Sequence, residues 1–211
     1  LTREHPPVAP SETIATNRTT TKLLDALRDH RNEPAWAQID ARYRPVIRGL
    51  ARQLGLSESD SEEVAQQSLA EFVKAYRDGR YDRTKGRLSS WILGIAHHTT
   101  LKMIRSGQRE LHPGATAIAE VADESRLRSL WTDERDRAIL QRALAVIRDE
   151  CALDDRTIQA FELFGLRGVP ALETAAQCRM SVDQVYVARS RVTKRLRTLV
   201  EEMTAAFEED V

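Results

Sequence analysis

Cysteine is scarce in this sequence. Cys151 and Cys178 are the only two, they lack the C-x-x-C spacing of a zinc site, and a small secreted domain held by disulfides normally carries more of them. Reduced thiols in a cytoplasm are the expectation. Long apolar runs are missing too. Nothing approaches the roughly 20 residues of a membrane span, and the opening LTREHPPVAP has no apolar segment of the kind a signal peptide needs. Membrane insertion is therefore not expected, and Leu1 in place of a Met leaves the true start open. Neither charge is in surplus, with 32 Lys and Arg against 32 Asp and Glu, so any attraction to nucleic acid has to come from where the charges stand. The sequence also has no H-E-x-x-H, no phosphate-cradling glycine loop and no nucleophile elbow. A helical hydrolase or metalloenzyme would have nothing to work with, and no catalytic, cofactor-binding or metal-binding residue is expected.

What the sequence does contain is helix. At 41% hydrophobic and 30% charged residues the composition is that of a globular protein. Apolar residues recur at helical spacing from Thr19 onward, and the alternation of a strand never persists. The expected fold is all-α, two small helical domains joined by a flexible linker. Residues 1–18 hold three of the seven prolines among Ser, Thr and Asn, bury too little apolar surface to offset ordering entropy, and are expected to form a disordered tail. The first domain, 19–106, should hold a helix over about 20–30 (Leu23, Leu24, Leu27) and another from Pro34 to about Leu54, kinked or restarted at Pro45. A third is announced by SESDSEE (57–63), whose Ser and Asp suit a cap and whose acids suit the positive end of a helix dipole. It presents Val64, Leu69, Phe72, Val73 and Tyr76 on one face; Leu88, Trp91, Ile92, Ile95, Ala96 and Thr99 mark a fourth, through about Arg105. Residues 107–136 carry seven acids against four arginines, with His112-Pro113-Gly114 among them, and read as an acidic linker. The second domain, 137–205, reads as four helices, over about 137–150, 155–165, 170–178 and 182–205.

Residues 170–192 have the layout of a helix-turn-helix: PALETAAQ, a corner CRMS, and a second helix from Val182. Ser181 followed by Gln184 is a capping box, which gives that helix a local reason to start. Val185, Ala188, Val192, Leu196 and Leu199 form its inward stripe, leaving Tyr186, Val187, Ser190, Lys194 and Arg197 outward. From Arg179 to Arg197 there are six basic residues and one acid. Such a strip can be a merely soluble helix face. Its place on the second helix of the motif, the one that enters a major groove, favours phosphate contact with counterion release. Arg179 stands at the corner usually given to Gly, at a cost of about 1 kcal/mol if that position is left-handed.

In the first domain, Asp60, Glu62, Glu63, Gln66 and Gln67 lie on the polar side of a helix. They can complement its dipole, or form a docking face for a partner protein. Residues 74–87 then carry six basic residues (Lys74, Arg77, Arg80, Arg83, Lys85, Arg87) against two acids, a loop suited to single-stranded backbone. Trp91 is spaced for the core rather than for base stacking. His97 and His98 are adjacent and diverge on a helix, so they cannot ligate one metal from the same face; with Lys102 and Arg105 they extend the basic surface.

Together these pieces resemble a bacterial sigma factor of the extracytoplasmic-function (ECF) type, which keeps regions 2 and 4. DSEEVAQQSL (60–69) is similar to the family's D-A-E-D-L-V-Q-E-x-F, and WILGIAHHTTLKMIR (91–105) to its W-L-x-x-I-A-x-N-x-x-x-x-x-x-R. ETAAQCRMSVDQVYVARSRVTKRLR (173–197) resembles the family's E-I-A-x-x-L-G-x-S-x-x-T-V-x-x-R-L-x-R-A-x-x-x-L-R. The resemblance covers about 35–106 and 137–200. It implies region 2 over 19–106 and region 4 over 137–205, and a protein that binds core RNA polymerase, carries it to a promoter and helps open the duplex, without being an enzyme itself. Asp60, Glu62, Glu63, Gln66 and Gln67 would dock on the polymerase. Arg80, Arg83, Lys85, Arg87, His97, His98, Lys102 and Arg105 would hold the minus-ten element, the loop accepting a flipped base. Gln184, Tyr186, Val187, Ser190, Arg191, Lys194 and Arg197 would meet the minus-thirty-five element. Promoter DNA is the second partner, and an anti-sigma factor covering these faces at rest is compatible with the resemblance. Departures from the pattern are Thr174 for an apolar residue, Arg179 for Gly, Ala188 for a frequent Arg and His98 for a frequent Asn. Tyr186, at a position often basic, implies an unusual upstream element, since an aromatic cannot make the bidentate guanine contact of Arg. The competing reading is an autonomous helix-turn-helix regulator that binds duplex DNA without polymerase.

Overall fold

The computed structural model describes residues 21–29, 32–107, 123–149 and 153–208. The tail expected over 1–18 lies outside them, as does 108–122 of the expected linker. Among the described residues the regular structure is helical: α1 (Thr21–Ala26), α2 (Glu33–Gln53), α3 (Glu58–Arg77), a 3-10 turn (Arg83–Lys85), α4 (Leu88–Gly107), α5 (Glu124–Asp149), α6 (Asp155–Ala160) running into a π-helical turn (Phe161–Leu166), α7 (Ala171–Cys178) and α8 (Val182–Glu208). The chain divides into two compact units. One comprises Leu1–Ala138 with Ala205–Val211, the other Ile139–Thr204.

In the first unit, α3 packs between α2 and α4. The side of α3 that meets its neighbours begins with Ser61, Ala65 and Ser68, all buried and small, so the backbones approach closely before Phe72 and Tyr76 fill the far end. Ser57 caps α3 as the sequence predicts: its Oγ accepts from the Asp60 amide at 3.1 Å and donates to Asp60 Oδ2 at 2.7 Å. Asn32 caps α2 by accepting from the Ala35 amide.

Two expectations are corrected in this unit. α2 does not restart at Pro45 but continues through it. A proline ring inside a helix costs about 3 kcal/mol, and here Ile39 and Tyr43 before it and Val46, Ile47 and Leu50 after it are all buried in one core that holds both halves in register. The linker does not extend to residue 136, because residues 124–136 are helical and continue to Asp149. Leu127 and Trp131 are buried at an i, i+4 spacing, which is a helical stripe despite the acids around it. Trp131 stacks on Tyr43 at 6.4 Å, and one turn on, the buried Glu134 accepts from Gln53 Nε2 at 3.0 Å and from Arg137 Nη1. The Glu134 carboxylate lies where a Cβ on residue 49 would be, so Gly49 is what admits it. The buried Arg42 guanidinium donates to the Ala206 carbonyl at 3.1 Å and lies over the Phe207 ring.

The second unit is built on the stripe predicted for its long helix. Val185, Ala188, Val192 and Leu199 are buried and Leu196 is half-buried. Ala160, Cys178 and Ala188 form the contact point of α6, α7 and α8, with Leu163 and Met180 packed against it. Burial pushes the Cys178 thiol pKa up, away from thiolate chemistry. The unusual Thr174 is fully buried, its hydroxyl donating to the Val169 carbonyl at 3.4 Å.

The corner after α7 is a Schellman turn. The Met180 amide donates to Ala175 O at 3.0 Å and the Arg179 amide to Ala176 O at 3.4 Å, while Arg179 sits at φ 52°, ψ 52°, the left-handed conformation that favours glycine. Arg179→Gly is therefore expected to stabilise this unit by about 1 kcal/mol, read as a higher urea midpoint at unchanged slope. α8 then starts on the predicted capping box: the Ser181 amide donates to Gln184 Oε1 at 2.7 Å and the Gln184 amide to Ser181 Oγ at 3.2 Å.

Candidate functional site

Three surfaces carry the residues singled out by sequence. The first is the polar side of α3. Glu63, Gln66 and Gln67 are exposed, and Gln67 Nε2 donates to Glu63 Oε1 at 2.8 Å, one helical turn away. Asp60 and Glu62 are half-buried and already engaged. Asp60 belongs to the cap. Glu62 Oε1 accepts from Arg44 Nη1 at 2.6 Å, and its Oε2 lies 3.6 Å from Arg48. Arg44 is also held by Asp40 at 2.6 Å and 2.9 Å, and these carboxylates, Asp40 first, raise its pKa further above the ordinary guanidinium value. Glu58 pairs with Arg52 and lies 3.7 Å from Arg48. The acidic cluster thus joins α2 to α3 along one edge and presents Glu63, Gln66 and Gln67 on the other.

The second surface is the loop 78–87 with α4. The loop has local structure of its own. Asp82 Oδ1 accepts from the amide and hydroxyl of Thr84, at 2.9 and 2.7 Å, which starts the 3-10 turn and holds the Asp82 pKa below the usual carboxylate value. Gly79 and Gly86 take φ of 72° and 155°, conformations other residues adopt only at a cost. Tyr81 stacks on Trp91 at 5.2 Å with 21° between the planes, and Trp91 meets Phe72 edge-on at 5.6 Å. Trp91 is half-buried, and its core role extends to bracing the loop. Arg80, Arg83, Lys85 and Arg87 are all exposed on this loop. On α4, His98, Lys102 and Arg105 are exposed at i, i+4 and i+7 and so share a face, whereas His97 is half-buried with Nε2 inside.

Between α1, the end of α3 and this loop lies a cavity of about 720 Å³ lined by Asp25, Arg28, Tyr76, Arg77, Tyr81 and Arg83 among others. Tyr76 donates to the Leu24 carbonyl at 2.6 Å, which ties α1 to the wall, and burial raises its phenol pKa. Arg77 lies over the Trp36 ring at 5.0 Å. The contribution of α1 has no sequence motif behind it; its only sequence signal is a basic residue, Arg28, just after the apolar stripe.

The third surface is α8 in the second unit. Tyr186 is 52% and Val187 46% exposed, and Ser190, Arg191, Lys194 and Arg197 are exposed as well. Tyr186, Ser190, Lys194 and Arg197 follow one another at helical spacing and share a face. The Gln184 side-chain oxygen is engaged in the cap. Two residues that sequence reasoning did not single out join this surface. Phe164, on the π-helical turn, meets Tyr186 edge-on at 5.3 Å and 89°, and the Arg189 guanidinium lies over the Phe164 ring at 5.3 Å.

Among the described residues no group of three His, Cys, Asp or Glu side chains could hold a metal ion, and no helix is long and apolar enough to cross a membrane. Residues 39–110 match the family model of sigma-70 region 2, a stretch that takes in α3, the basic loop and α4. The chain is also similar to the ECF RNA polymerase sigma factor RpoE of Cereibacter sphaeroides, with 25% identity over 173 residues, covering 77% of this chain and 91% of the relative. The region 2 match over α2, α3 and α4 and the relative matched along most of its length support a sigma factor of the ECF type, a subunit that directs transcription initiation with RNA polymerase.

Proposed function

We propose that the three surfaces divide the work of promoter-specific initiation. The polar edge of α3 (Asp60, Glu62, Glu63, Gln66, Gln67) docks on core polymerase, with Glu63, Gln66 and Gln67 as the contacting side chains and Asp60 and Glu62 fixing the helix. The loop and α4 hold the minus-ten element, through Arg80, Arg83, Lys85 and Arg87 on the loop and His98, Lys102 and Arg105 on the helix. His97 supports that helix face from inside. α8 meets the minus-thirty-five element, with Tyr186, Val187 and Ser190 toward bases and Arg191, Lys194 and Arg197 toward phosphates. Gln184 contributes by starting the helix. The protein acts as a specificity subunit rather than a catalyst, and it works in the cytoplasm, where polymerase and chromosome are.

The observation that carries this reading is the region 2 match over the same helices that present the α3 edge and the basic loop. Each DNA surface is small, so each binds weakly alone, and the two gain affinity through effective concentration when polymerase holds both on one duplex. Phosphate contact makes that affinity fall steeply with salt.

Run-off transcription with core polymerase on genomic fragments tests the proposal. Specific transcripts are expected only when the protein is added, while the protein alone gives no tight band shift on the same fragments. Tight, specific binding without polymerase would instead identify an autonomous regulator. Tyr186→Ala is expected to change which upstream elements are used, and identical promoter selection by that variant would remove α8 from the upstream contact.

A further inference from the structure

The turn that follows α6 departs from α-helical geometry for a local reason. Over Phe161–Leu166 the helix widens to π form, with the Arg167 amide donating to Glu162 O, five residues back, at 3.0 Å. The ring of the buried Phe161 lies against Gly165, within 2.9 Å of where a Cβ would stand, so a bare glycine is needed for the ring to pack there. π-helical turns are uncommon and accumulate at functional positions, because the extra residue re-aims the side chains around it. Here the re-aimed side chain is Phe164, half-buried, and it reaches the exposed face of α8 instead of the core.

Phe164 contacts two residues of α8 that lie one turn apart. Tyr186 meets it edge-on, which restricts the tilt of the tyrosine ring, and the Arg189 guanidinium lies over its face. A guanidinium held over a ring by cation–π attraction keeps its N–H donors available to a base edge or a phosphate. We propose that Phe164 is a positioning residue for upstream-element recognition, holding Tyr186 and Arg189 in the orientations with which α8 meets the groove, and that Arg189 is itself a DNA-contacting residue. The inference rests on the reading of α8 as the upstream-element helix. It adds to that reading a residue from another helix and an arginine outside the expected set.

The test uses full-length protein reconstituted with core polymerase and transcription from a promoter pool randomised in the upstream element, read as a base-preference profile at each position. Phe164→Leu keeps apolar bulk and removes the ring, Phe164→Tyr keeps the ring, and Tyr186→Ala and Arg189→Ala remove the positioned groups. Phe164→Leu is expected to change preference by about tenfold, the scale of a lost base contact, at the positions that Tyr186→Ala and Arg189→Ala affect. Phe164→Tyr should retain the original profile, and thermal stability should be alike for all four. A normal profile for Phe164→Leu beside a changed one for Tyr186→Ala would overturn the positioning role and leave the assignment of α8 standing. Normal profiles for all four variants would overturn the assignment of α8 itself. A uniform loss of transcription that tracks a loss of stability in Phe164→Leu would reduce Phe164 to ordinary packing.

Discussion

Replacing Phe72 with alanine is expected to destabilise the region 2 unit by about 3–5 kcal/mol, the range for truncating a fully buried phenylalanine. Phe72 is buried completely and is a ring on which three other aromatics converge: Trp36 at 6.4 Å, Tyr76 at 5.9 Å and Trp91 at 5.6 Å. Its removal leaves a cavity under α3 and cancels three ring contacts at once, and each of those is worth about 0.5–1.5 kcal/mol beyond area burial. For a domain of this size the melting temperature should fall by on the order of 15 °C or more, measured by circular dichroism. The loss should also reach the DNA-facing loop. Trp91 is backed by Phe72 and in turn supports Tyr81, so the Phe72→Ala loop should be cut faster by protease between residues 79 and 87. Destabilisation below about 1 kcal/mol would mean that the neighbouring rings close over the gap, which the completeness of burial argues against.

The features legible in the sequence are those whose cause is local. Ser57 and the Ser181–Gln184 pair cap helices through contacts three residues apart, and both caps form as the spacing predicts. Arg179 was legible as an oddity because the corner after α7 demands a left-handed residue, and the structure places it there at φ 52°. What the sequence hid depends on distant partners or on patterns masked by composition. The acids of residues 123–136 suggested a tether, although Leu127 and Trp131 were spaced for a buried face, and only contact with Tyr43 shows that the face has something to bury against. The buried Glu134 has its place because Gly49 lacks a Cβ, a pairing across 85 positions that no local pattern encodes. Pro45 suggested a kink or a restart, and the helix does not restart there because the buried residues on both sides of it hold one continuous helix. At the candidate sites, the exposed side of α8 was read from its periodicity, whereas Phe164 joins it only through a π-helical turn that has no signature beyond Gly165 beside two phenylalanines. Likewise the acids at the start of α3 read as one exposed face, and two of them, Glu58 and Glu62, prove to be tied to arginines of α2.

That division within the acidic cluster shapes the second large effect. Glu62→Lys combined with Glu63→Lys is expected to weaken binding to core polymerase by about 100-fold or more, because charge reversal in a docking face costs several kcal/mol and each 1.4 kcal/mol is a factor of ten. The fold should survive. Glu62 is partly exposed and its pair with Arg44 is of the kind worth about 0–1 kcal/mol; when it is lost, Arg44 keeps both contacts to Asp40. A lysine at 62 does, however, face Arg44 and Arg48, whereas a lysine at 63 faces only solvent and Gln67. The single variants therefore separate docking from packing. Glu63→Lys should lose affinity in titrations with core polymerase at an unchanged melting temperature, while Glu62→Gln, which removes charge without adding any, should lower the melting temperature slightly and affinity little. Unaltered co-purification of the double variant with core polymerase would remove this edge of α3 from the docking surface. Loss of binding in Glu62→Gln equal to that in the double variant would show that the carboxylate of Glu62, and not the exposed edge, is what the polymerase meets.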